Sequence, residues 1–157
     1  MLVRRHAAIA ELRARIPTLP PSLDGSWSAV RVERAGSYDF GPANMEIVMW
    51  FPVRDEGVAG DGPTWATVEA EVGPVGEAGE AAVNQEALAA LLPGRFERPA
   101  WGAINVRVAG PLYPASCFEG GGFGAGRAVR IDGGLLVAIT TAPAAVPRTI
   151  TPTVPPA

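Results

Sequence analysis

Lysine is absent from the 157 residues, and histidine and cysteine occur once each, as His6 and Cys117. A single cysteine cannot close an internal disulfide, which fits a reducing compartment or simple indifference to redox. A cysteine–histidine nucleophile would have to use this one pair, and neither residue sits in an accompanying signature. Zinc lacks ligands here unless carboxylates or several subunits contribute. Without lysine there is no Gly-Lys-Ser/Thr phosphate loop, and Ser37 and Ser116 stand outside any Gly-x-Ser-x-Gly elbow. Charge is also sparse: charged residues make up 18% of the chain, with a formal net charge of −3 and a pI near 5.2. That balance argues against a dedicated nucleic-acid binder, whose footprint is a strong basic excess. It is compatible with a wall past which DNA slides without sticking. The opening Met1 to His6 carries no apolar run of signal-peptide length, so neither secretion nor membrane insertion is expected.

What the chain does have is apolar patterning broken by glycine and proline. Leu2, Ile9, Leu12 and Ile16 recur at helical spacing, predicting an amphipathic helix over Leu2 to Ile16 that Pro17 and Pro20-Pro21 end. Its opposite face, with Arg4, Glu11 and Arg15, suits solvent or a partner's acidic surface. Trp27 to Arg34 alternates as a strand, and Ala35 to Asn44 reads as a loop. Met45 to Val53 is an unbroken apolar run with the composition of a strand covered on both faces. Its cover would come either from helices of the same chain or from a neighbouring subunit.

Arg54 to Pro63, with Asp55, Glu56 and Asp61, predicts a long mobile hairpin loop. Its carboxylates lack the ligand spacing of an EF-hand. Strict alternation over Thr64 to Val72 predicts a strand. Val83, Ala87, Leu88, Leu91 and Leu92 then predict a helix over Glu77 to Leu92, stopped by Pro93-Gly94. Ile104, Val106 and Val108 mark a further strand. The Gly120 to Gly126 segment is no phosphate cradle, because Gly126 leads through Arg127 into a strand, Ala128 to Ile131, and not into a helix. Asp132-Gly133-Gly134 is turn chemistry before the apolar arm Leu135 to Thr140. From Ala142 the recurring prolines predict an extended tail.

The fold class expected is α+β: a mostly antiparallel sheet with two amphipathic helices in a domain over residues 1–141, and an extended Pro-rich tail over 142–157. Three segments, the helix Val3 to Ile16 with its Pro17 break, the hairpin Met45 to Val72 and the helix Glu77 to Leu92, give an element order that resembles the tail terminator proteins of long-tailed bacteriophages. The resemblance implies a structural virion protein in the tail or neck, assembled in the host cytoplasm. It would form a hexameric ring at the head-proximal end of the tail tube, stop tube polymerisation and dock the head connector. It further implies no catalysis, no cofactor, no metal and no small-molecule substrate, with DNA only passing through the lumen and no membrane contact. Met49, Phe51, Asp55, Glu56, Asp61, Pro143, Pro147 and Pro152 are the expected subunit contacts. Rival readings are another neck or tail component, such as a head-closure or tube protein, and a small cellular ligand-binding or enzymatic domain.

Overall fold

A computed structural model describes residues 5–32, 44–96 and 105–141. In chain order these form β1 (Arg5–Ala8), α1 (Ala10–Arg13), β2 (Ser26–Val32), β3 (Asn44–Pro52), α2 (Trp65–Glu71), β4 (Ala78–Asn84), α3 (Gln85–Leu91), β5 (Asn105–Tyr113), β6 (Phe123–Ile131) and β7 (Gly134–Thr141). A single 3₁₀ turn, Ser116–Phe118, precedes β6. The strands order as β1-β2-β3-β7-β6-β5-β4, and every neighbouring pair is antiparallel. The chain is therefore α+β.

β3 lies inside the sheet, third in that order between β2 and β7, and both of its faces are buried. Ile47, Met49 and Phe51 face a core completed by Ile9, Leu12, Ile16 and Leu23 from the N-terminal segment and by Trp65 and Val68 from α2. Val48, on the other face, joins Val30, Leu136, Ala87 and Leu88. The apolar run is thus covered within one chain, which decides between the two coverings the sequence leaves open. α3 starts one residue after β4, at the far end of the strand order, yet touches β2 and β3. The sheet must therefore curl, so that β4 and β5 arch over the second face and α3 closes the gap. Ala81 and Val83 of β4 and Val108 of β5 share a cluster with Val30 of β2 as a result.

The closure is pinned by polar groups. The Asn84 side-chain oxygen accepts the N–H groups of Glu86 at 2.9 Å and Ala87 at 3.1 Å, an N-cap typically worth about 1 kcal/mol. The Asn84 N–H donates in turn to a Glu46 carboxylate oxygen at 2.8 Å. Burial pushes the Glu46 carboxyl above its usual range, and this bond only partly offsets it. A carboxyl raised in the folded state contributes stability that is complete below its unfolded pKa and is lost as pH climbs through the folded value. Glu46→Gln keeps an acceptor for Asn84 without the buried charge. The variant is expected to melt higher than the wild type at pH 7 and to converge with it near pH 4, as read by thermal unfolding across that range.

Several sequence expectations are corrected. Arg5–Ala8 is not helical but pairs with β2, and within the expected helix only Ala10–Arg13 is α-helical. Ile9, Leu12 and Ile16 still reach the core, because the Arg13 guanidinium holds the following connector through the carbonyls of Leu19 and Pro20 at 3.3 and 3.1 Å. Thr64 to Val72 is the helix α2, not a strand. The Thr64 N–H donates to Thr67 Oγ1 at 3.4 Å, and Trp65 and Val68 are the buried positions, three apart on one helical face. There is consequently no hairpin over Met45 to Val72. Glu77 to Leu92 divides into β4 and α3, since pairing with β5 overrides the helical propensity of its alanines and glutamates. The strand before the last turn begins at Phe123, through a bulge between Gly124 and Arg127. These changes remove the element order on which the tail-terminator likeness was drawn. Of the strand expected over Trp27 to Arg34, Trp27 to Val32 lies in β2; the β3 run and the final turn fall where expected, while Leu2, residues 33–43 and the tail 142–157 lie outside the described residues.

Candidate functional site

The surface richest in organised polar groups is built around the segment between β3 and α2. The Arg54 N–H donates to the Pro63 carbonyl at 2.9 Å, closing the neck of the loop. The Arg54 side chain then turns into the loop it opens, donating to the carbonyls of Val58 at 2.6 Å and Gly62 at 2.9 Å. A guanidinium donating to two carbonyls of one short loop fixes its shape, since each charge-assisted bond is stronger than a neutral one. Glu56 accepts the Ala66 N–H at 3.1 Å at the start of α2. The Thr64 hydroxyl, followed by that backbone N–H, holds the Glu56 carboxyl below its usual range. Outside these ties the tip carries Val58, 53% exposed, among the exposed carboxylates Asp55, Glu56 and Asp61.

Behind the loop lies a stack of aromatic and guanidinium groups. Asp55 Oδ1 accepts the Trp65 indole N–H at 3.1 Å. The Arg130 guanidinium lies 4.1 Å from the Trp65 ring centroid, and Tyr113 stacks on the same indole at 5.8 Å. Arg130 and Asp55 pair at 4.0 Å, the limit of an ion pair, so the cation–π contact positions Arg130 more firmly than the carboxylate does. Across a cleft of about 560 Å³, Arg95 lies 5.4 Å from the Trp50 ring and donates to the Asp132 carbonyl. Arg95 and Arg130 line this cleft with N–H donors, so the arrangement is equipped to hold an acceptor. Sequence reading singled out Asp55 but neither arginine. Arg95, Arg130 and Trp65 belong to separate elements, and only the antiparallel closure of β5, β6 and β7 brings them together.

The expected contact residues divide. Met49 and Phe51 are completely buried against their own chain, so they cannot form a subunit contact in this fold. Asp55, Glu56 and Asp61 share one exposed loop, although two of them are partly spent on Trp65 and α2. Pro143, Pro147 and Pro152 lie outside the described residues. Cys117 is half-buried, and burial pushes its thiol up to about 11, which leaves it protonated and a poor nucleophile at neutral pH. The cavity beside the glycine-rich segment, about 340 Å³, is lined chiefly by Pro74, Leu112, Tyr113, Pro114 and Ala128. Among the described residues no three His, Cys, Asp or Glu side chains cluster as metal ligands, and no helix is long and apolar enough to cross a membrane. Comparison with protein-family models, with curated proteins and with solved structures finds no match to this chain.

Proposed function

We propose that this chain is a structural virion protein, a tail terminator that assembles with copies of itself into a ring at the head-proximal end of a tail tube, stops tube polymerisation and docks the head connector. The observation that carries a structural role is the Arg54-braced loop, which presents an apolar tip at Val58 inside an acidic rim. A loop already held in shape gives up little conformational entropy on docking, so more of the contact energy appears as affinity. The choice of terminator among virion proteins keeps only the α+β build in its support, since the element order that gave the resemblance is not that of the fold. Among the described residues its sheet ends in two unlike strands, β1 and β4, which offer a head-to-tail contact two different edges to join.

Val58→Asp tests the reading. Mass measurement on a sizing column, with electron microscopy of the eluted peak, is expected to show a closed oligomer for the wild type. The variant should be smaller, with folding stability changed by no more than about 0.5 kcal/mol, because position 58 touches no core. A wild type that stays monomeric at its highest attainable concentration, alone and mixed with tail-tube protein, would overturn the proposal.

A further inference from the structure

The last strand of the sheet, β4, has no described strand on its outer side. Backbone N–H groups of an antiparallel strand point alternately toward and away from the partner. The Asn84 N–H goes to the Glu46 carboxylate and not to its register partner Asn105 on β5, so Asn84 is a position that faces away. Counting back by twos, Ala82, Glu80 and Ala78 face away as well, and all three residues are exposed. Sheets normally blunt such an edge with proline, lysine or a bulge. Along Ala78 to Asn84 there is neither proline nor lysine, and the one charge, Glu80, is drawn sideways onto Arg107 of β5 at 3.2 Å. The row from Ala78 to Ala82 is therefore a short template bordered by small side chains.

The opposite end of the same sheet is β1, four residues long, also without a described strand outside it. Its four residues fit within the five of the free part of β4. The charges in sequence are complementary: Arg4 and Arg5 in and before β1, Glu77 and Glu80 in and before β4. We propose that β1 of a second copy adds to the Ala78–Ala82 edge of β4, so that the sheet continues from one subunit to the next. Joining two different edges is a heterologous contact, which closes into a ring when the rotation permits. The inference rests on the ring reading above and specifies its contact.

Two edge variants and a cross-link test it. Ala82→Pro removes an outward N–H that β5 does not use, and Ala82→Lys places a charge on the free edge. Both are expected to elute at monomer mass while keeping a cooperative thermal transition. Separately, in a Cys117→Ser background, chains carrying Ala8→Cys are mixed with chains carrying Ala78→Cys, Glu80→Cys or Ala82→Cys. Mild oxidation should give a disulfide-linked pair for at least one combination. Should Ala82→Pro fail to fold, Ala82→Lys and the cross-link decide. A wild-type ring that survives both substitutions and yields no cross-link overturns the strand addition and leaves the ring reading standing. A monomeric wild type overturns both.

Discussion

Replacing Phe51 by alanine is expected to lower the unfolding free energy by about 3–5 kcal/mol, a large part of the roughly 5–15 kcal/mol that a domain of this size holds. Phe51 is completely buried, its ring 5.7 Å from that of Phe118, and it lies opposite Leu135 in the β3–β7 ladder. Truncation removes the transfer free energy of the ring and leaves a cavity whose walls belong to strands on both sides, so little of it can collapse. Urea denaturation should show a lower midpoint at an unchanged slope. The shift should also be independent of protein concentration, as a core defect requires. A concentration-dependent shift would place Phe51 at a subunit contact and contradict the burial described above.

Gly25→Ala is expected to rank next. Gly25 directly precedes β2, and a Cβ there would overlap the Trp50 carbonyl oxygen and crowd the Phe51 Cα at 3.2 Å. Neither obstacle is a flexible side chain. Both are backbone of β3, an interior strand held from the other side by β7 through the Trp50–Leu136 and Phe51–Leu135 pairs. Relief requires β2 to peel back from β3, and the Gly25 carbonyl would then lose the Ile9 N–H that it accepts at 3.1 Å. Overpacking of this kind costs about 1–3 kcal/mol and occasionally more. Equilibrium unfolding of the variant measures it, and a loss under about 0.5 kcal/mol would show that the β2–β3 approach is looser than described.

The legible parts of the fold are those where one physical signal dominates. The run Ile47 to Phe51 is too short and too continuously apolar for an exposed element, and all of it but the half-buried Trp50 is fully buried inside the sheet. Asp132-Gly133 makes the turn its residues demand, with Gly133 at φ 88°. Pro93-Gly94 ends α3 as expected. Misreadings arose where two periods fit the same letters. In Thr64 to Val72, counting Ala66 and Ala70 as apolar produces alternation, whereas the residues that matter, Trp65 and Val68, fit a helix turn. In Ala78 to Asn84, alanine and glutamate promise a helix, but β5 supplies a ladder that local propensity cannot anticipate. The N-terminal segment misled because Ile9, Leu12 and Ile16 do share one face of the core, reached through four helical residues and a connector. Of the candidate site, the acidic loop was visible as composition. The stack of Arg130 on Trp65 was not, because it is a product of topology.

The position of β3 between β2 and β7 sets an order of events during synthesis. Its first neighbour leaves the ribosome before it, while its second is specified by residues 134–141, almost ninety positions later. Until those residues emerge, one flank of this apolar strand has no mate, and loop closure across that separation makes the pairing intrinsically slow. A nascent chain stalled before Gly134 would therefore leave the backbone edge of β3 without its ladder, open to mispairing with another strand.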